Sequence, residues 1–131
     1  VIGGGLTGSE IAYELYLDGK KPIIIEAKND LIVADKVPLA NASYLRDFFK
    51  ANNVPVCLEA TVNEIREEGV IFTDKSGKKK RIKADSVIVS VGYIPTPAFE
   101  KEKHVHIIGD AKKVGNLRTV IWNAWDVCMK L

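Results

Sequence analysis

Apolar and polar positions along this chain of 131 residues follow two periods in turn, and the switches between them mark its elements. Val1 and Ile2 read as the end of a buried strand. Over 6–18, Ile11 and Leu15 make an i, i+4 pair with Ala12 beside them, and Gly19 supplies a left-handed stop, which predicts a helix. The run KPIIIE predicts a strand over 22–26, and 27–37 has no clean period and reads as a loop. Ala42, Leu45, Phe48 and Phe49 share one face of a second helix over 39–52, closed by Asn52 and Asn53, and a third strand follows over 54–58. Strands alternating with helices imply a parallel sheet with right-handed crossovers.

The texture then changes. Short strand-like runs at 61–65, 69–73 and 80–84 are separated by turn signals at Glu67-Glu68-Gly69 and Lys75-Ser76-Gly77. They predict an antiparallel meander at about 60–84, laid across the main sheet. The unbroken β-branched run SVIVSV at 86–91 predicts a buried parallel strand. A further strand is expected over 104–108. Beyond it Leu117, Val120, Ile121, Ala124, Val127 and Leu131 recur at helical spacing, from a start near Gly115 and Asn116.

The chemistry concentrates at the start. Gly3, Gly5 and Gly8 give G-x-G-x-x-G between a strand end and a helix. Gly3 permits a tight turn, Gly5 lets the backbone approach a pyrophosphate, and Gly8 lets the helix pack closely on the sheet. A helix start also offers unpaired N–H groups and a partial positive charge to phosphates. Glu26 ends the second strand near the ~20-residue offset at which an acid hydrogen-bonds the adenosine ribose hydroxyls. A carboxylate there repels the extra phosphate of NADP(H), so NAD(H) is the expected cofactor, although the Lys28 cation pulls toward a phosphate. Gly92, with Tyr93, turns the chain at the carboxyl end of the 86–91 strand, where open α/β sheets bind ligands. The predicted fold class is α/β, a three-layer Rossmann-type parallel sheet with a small antiparallel β-meander.

Composition narrows the setting. A net charge of +2 points to no polyanionic partner. Lys78, Lys79, Lys80, Arg81 and Lys83 cluster at a hairpin, but no aromatic residues interleave to stack bases, so a solvated turn is expected and not a nucleic-acid surface. Cys57 and Cys128 stand alone, with no dithiol or metal spacing, which fits a reducing cytoplasm. His104 and His106 share a strand face without a third ligand, so no metal is expected. No run approaches the ~20 apolar residues of a membrane helix. The glycine motif opens at residue 3, with only two residues of its strand ahead, so a piece of a larger protein is expected.

VIGGGLTGSE with Glu26, then SVIVSVGYIP, then HIIGDA with VGNLRTVIWNAWDV, together resemble the pyridine-nucleotide-disulfide oxidoreductase superfamily of flavoproteins. The texture is similar to the C-terminal regions of the enoate reductase and 2,4-dienoyl-CoA reductase group, the old yellow enzyme-like NADH:flavin oxidoreductases. The resemblance implies an NAD(H)-binding domain over 1–92 and a partial FAD-domain segment over 93–131. It implies parent-protein partners as well: a second FAD half-domain, and an FMN barrel with an iron–sulfur cluster. Electrons would pass from nicotinamide to FAD, then to the cluster and FMN. By the same resemblance Leu6 and Thr7 donate loop amides, and Glu10 lies near the nicotinamide–flavin junction. Gly92 backs the cofactor's ribose, and Asp110 binds the ribityl chain of FAD. The superfamily's other FAD glycine motif, the barrel and the cluster cysteines have no counterpart in the sequence, and 93–108 is a short connection for the family. FAD is therefore expected in the parent and not tightly held by this chain alone, which is itself expected to be inactive. The function expected is positioning nicotinamide for hydride transfer to FAD. The alternatives are a nucleotide-binding module without turnover, and a free-standing dehydrogenase, for which no catalytic group is visible.

Overall fold

Two adjacent isoleucines set the layering of the molecule's first half. A computed structural model describes residues 1–33 and 37–131. In it β1 (Ile24–Ile25) pairs in parallel with β2 (Val56–Cys57), Ile24 opposite Val56 and Ile25 opposite Cys57. Ile2 bridges in parallel to Ile25 on one side and to Val89 on the other, so the sheet runs β2, β1, Ile2, Val89. Successive side chains of a strand point to opposite faces. Ile24 accordingly packs with Ala12, Leu45 and Phe49, whereas Ile25 packs with Ile2, Val70 and Phe72.

Each face has its own cover. On the Ile24 side lie α1 (Leu6–Leu17) and α2 (Leu39–Ala51), joined by edge-on contacts of Phe48 with Tyr13 at 4.6 Å and Tyr16 at 5.3 Å between ring centres. On the Ile25 side lies an antiparallel sheet of β3 (Thr61–Arg66), β4 (Gly69–Thr73) and β5 (Lys79–Lys83), with β4 in the middle. Val70 and Phe72 of β4 are buried, and the basic residues of β5 face outward. The result is the expected three layers: helices, parallel sheet, meander.

The meander's cationic hairpin is tied into ion pairs. Lys80 pairs with Asp74 at 2.9 Å, and Arg81 pairs with Glu68. Asp74 Oδ1 also accepts from the Ser76 hydroxyl at 2.7 Å and from the backbone N–H groups of Ser76 and Lys78. The Ser76 hydroxyl and then the Lys80 ammonium hold the Asp74 carboxyl well below the usual carboxylate range.

The run 86–91 departs from expectation: it forms a single bridge and not a buried strand, and Val89 and Val91 are exposed. The cause is its partner. The Ile2 N–H donates to Ile88 O at 2.8 Å and Ile2 O accepts from the Ser90 N–H at 2.7 Å, but Gly3 (φ 99°) turns the chain away at once. A ladder one residue long cannot continue. The strands at 22–26 and 54–58 shrink to the register pairs Ile24–Val56 and Ile25–Cys57, flanked by hydrogen bonds from the Ile24 N–H to Pro55 O and from the Glu26 N–H to Cys57 O.

The described residues fall into two compact units, Val1–Gly92 and Tyr93–Leu131. The second holds no strand among its described residues: 104–108 has no partner to pair with, and Ile107 and Ile108 are only half-buried. It carries a 3-10 turn (Gly109–Ala111) and α3 (Leu117–Cys128), which starts at the expected place. Asn116 and Thr119 form a capping box there, each side chain accepting from the other's backbone N–H. The expected loop over 27–37 includes residues 34–36, which lie outside the described residues.

Phe49, among the largest fully buried side chains, ties α2 to β1. Phe49→Ala is expected to cost about 3–5 kcal/mol by loss of contact and creation of a cavity. Urea unfolding followed by circular dichroism would register this as a lower midpoint at unchanged slope.

Candidate dinucleotide site

The glycine loop leaves the sheet at Gly3 and enters α1 at Gly5. A Cβ on Gly3 would collide with the Ser90 carbonyl group, and its φ of 99° strains any other residue. A Cβ on Gly8 would fall on Gly3's own carbonyl, so α1 can pack this close only with glycine there. Gly5 differs from both. It has an ordinary extended backbone (φ −65°, ψ −179°), and a Cβ there would meet no atom of the described residues within 4 Å. It is the N-cap of α1, and no side chain caps that helix. The first intrahelical bond runs from the Ser9 N–H to Gly5 O at 2.9 Å. The first-turn amides of Leu6 and Thr7 have no intrahelical carbonyl ahead of them to bond. Thr7 and Glu10 are exposed on this turn and Leu6 is half-buried.

Glu26 follows directly on β1, 9% exposed. Its Oε2 accepts from the Gly4 N–H at 2.5 Å and its Oε1 from the Lys28 N–H at 2.7 Å. Each carboxylate oxygen can accept a second bond, so the group keeps capacity for ligand hydroxyls. The other side of the Gly4 peptide is held as firmly: Gly4 O accepts from the Ile32 N–H at 2.7 Å and the Ser9 hydroxyl at 3.2 Å. A Cβ on Gly4 would strike the buried Leu31 side chain. Lys28 turns its ammonium back to Val33 O at 3.2 Å.

The structure therefore gathers Gly3, Gly5, Leu6, Thr7, Gly8, Glu10, Glu26 and Lys28 around one loop and one helix start. Gly92 (φ 108°) is an exposed turn at the end of the same unit. Tyr93 and Asp110 belong to the second unit, where Tyr93 is exposed and Asp110 Oδ1 accepts from the Gly115 N–H at 3.0 Å. No group of three or more metal-ligating side chains occurs among the described residues. No described helix is long and apolar enough to cross a membrane. Gly4, Ser9 and Leu31 escaped the sequence reading. The triple glycine and the serine after Gly8 were the available signals for two of them. Leu31 carried none, since it sits in an aperiodic loop.

Parallel strands under two helices, with a glycine turn into the first helix, define a Rossmann-type domain. Residues 1–121 match the family model of the pyridine nucleotide-disulphide oxidoreductases, and the chain belongs to that family. A cinnamate reductase of Clostridium sporogenes is 33% identical over all of this chain and 20% of its own length. An NADH oxidase of Thermoanaerobacter brockii is 30% identical over all of this chain and 21% of its own. A 2-naphthoyl-CoA reductase, solved with 2-naphthoyl-CoA, superposes on 99% of the chain with a TM-score of 0.83 at 26% identity, using 20% of that chain. The chain thus spans about a fifth of the length of the relatives it matches.

The glycines separate in a stability measurement. Gly3→Ala is expected to destabilise by more than ~1 kcal/mol through positive-φ strain and collision. Gly5→Ala adds neither collision nor positive-φ strain and should cost only glycine's N-cap preference over alanine, about 0.5 kcal/mol, so its midpoint falls less than that of Gly3→Ala. Thermal denaturation of the two variants side by side checks this.

Proposed function

We propose that this chain is the NADH-binding part of a flavin-dependent oxidoreductase and holds the nicotinamide for hydride transfer to FAD. The observation that carries the reading is Gly5: glycine at an ordinary backbone conformation, with none of the described residues within 4 Å of where its Cβ would stand, at the uncapped start of α1. Neither its dihedrals nor a clash with the described residues demands the absence of a side chain, and the N-cap position favours Ser, Asp or Asn at least as much as Gly. A pyrophosphate lying against the backbone does demand that absence, and the amides of Leu6 and Thr7 with the helix dipole suit its charge. Bound NADH supplies the hydride; the chain supplies orientation and electrostatics.

Glu26 then chooses between the reduced cofactors. Its free lone pairs accept from the adenosine ribose hydroxyls, whereas a 2′-phosphate meets like charge, at ~1–3 kcal/mol for a site on the rim. Lys28, exposed and turned to its own loop, recovers only ~0–1 kcal/mol. The carboxylate wins, so NADH is preferred over NADPH. We assign FAD to the parent protein, with Asp110 facing its ribityl chain and the positive end of α3 its flavin ring. The FAD half-domain and an FMN barrel with an iron–sulfur cluster complete that assembly. The cytoplasm is its proposed compartment. Acceptors such as cinnamate are named for relatives, and an unsaturated carbonyl compound is the corresponding class here.

Titration calorimetry of the chain with NADH and NADPH tests the reading. The preference for NADH should be about tenfold or more, by ~1.4 kcal/mol per decade. Gly5→Val should abolish binding with the circular dichroism spectrum intact, and Glu26→Ala should bring the two affinities together. Unaltered NADH affinity in Gly5→Val would sink the pyrophosphate assignment. An unchanged ratio in Glu26→Ala would remove that residue from cofactor choice.

A further inference from the structure

We propose that Arg46, on the middle of α2 and outside the glycine loop, is a positioning residue for the adenosine end of the dinucleotide site. The inference rests on the function proposed above. Arg46 Nε and Nη2 both donate to Leu31 O, at 3.0 and 2.6 Å, and Nη2 also pairs with Asp30 Oδ2 at 3.1 Å. One planar fork thus fixes a backbone carbonyl and a neighbouring carboxylate together, a geometry a lysine ammonium cannot reproduce.

What it fixes is a strained peptide. Ile32 has φ 54°, a left-handed conformation that costs a β-branched residue dearly and persists only where its surroundings over-determine it. Leu31 O, the carbonyl of the peptide entering Ile32, is the atom Arg46 grips. The N–H of that same peptide donates to Gly4 O at 2.7 Å. Leu31 is buried beneath Gly4, where a Cβ on that glycine would strike it. The Gly4 N–H in turn orients the Glu26 carboxylate. Arg46 therefore reaches Glu26 through one continuous series: guanidinium, Leu31–Ile32 peptide, the carbonyl and then the N–H of Gly4 on either side of its Cα, carboxylate. Removing the guanidinium lets Ile32 relax out of the left-handed region, takes its N–H from Gly4, and frees Glu26 to swing. Affinity for NADH suffers and affinity for NADPH, which gains nothing from Glu26, suffers less.

The test compares the 131-residue chain with Arg46→Ala and Arg46→Lys by calorimetric titration of NADH and NADPH, and by amide hydrogen exchange without ligand. Arg46→Ala should weaken NADH about tenfold, the scale of one lost charge-assisted pair, and move the NADH:NADPH ratio toward one. Arg46→Lys should fall between. Exchange at Ile32 and Gly4 should quicken while Ile24, in the central sheet, keeps its protection. A merely structural residue would weaken both cofactors by one factor or quicken neither exchange site selectively, and either result overturns the proposal. If Arg46→Ala does not fold, Arg46→Lys carries the same comparison, and wild-type behaviour in it is the overturning result. If the unaltered chain binds neither cofactor, the functional reading falls and the proposed role in binding falls with it. Unquickened exchange with intact NADH binding overturns only Arg46.

Discussion

The hydrogen bond from the Gly4 N–H to the Glu26 carboxylate is the constraint on which the rest of the first unit depends. It joins the turn after Ile2 to the end of β1, the two places that must stay in register for a loop to sit over a sheet edge. A carboxylate as buried as Glu26 is costly unless it is satisfied, and here two backbone amides meet its two oxygens. Gly4's carbonyl is met in its turn from Ile32 and Ser9. The loop is thus rigid by mutual satisfaction of buried polar groups, and its shape does not wait for a ligand. Preorganisation of this kind lowers the ordering cost of binding.

The same economy governs the layers. β1 holds only two residues, yet Ile24 and Ile25 decide which side receives helices and which receives the meander. A slip of one residue would turn Ile24 toward the meander and Ile25 toward the helices. Ala12, with no exposed surface at all, lets α1 come close enough to the sheet for Gly8 to pass over Gly3. Core packing and site geometry are one problem here, because the helix that covers the core begins at the glycine loop.

Local signals were legible where local physics decides. Gly19 and the i, i+4 pair marked α1, the Phe48–Phe49 face marked α2, and Asn116 marked the start of α3, all of them near the observed bounds. The 86–91 run misled because β-branched composition states a preference, while strand length depends on a partner, and Ile2 offers one residue before Gly3 leaves. The 104–108 run fails in the same way, lacking any strand within its unit. In the site, the motif glycines and Glu26 could be read from spacing. Arg46 could not: its contacts to Asp30 and Leu31 cross from α2 to a loop of no periodicity, and no local pattern encodes such a pairing.

Residues at a ligand site divide into those the fold requires and those it does not. Gly3, Gly4 and Gly8 are required, since a Cβ on each meets the protein's own atoms. Glu26 is required too, as the acceptor for Gly4. A conserved shape alone would therefore explain all four, and none of them by itself argues for a ligand. Gly5 argues for one because no atom of the described residues stands where its side chain would lie and its dihedrals are open to any residue. The exposed first-turn Thr7 and the uncapped helix start add to the same side, since an unpaired N–H group at a helix terminus is stabilised by whatever acceptor reaches it. α3 supplies the contrast within the same chain: at its start the Asn116 and Thr119 side chains each take up one backbone amide, whereas no side chain does so at the start of α1. An open helix start beside a glycine that neither its dihedrals nor a clash with the described residues demands is where the physical case for binding stands.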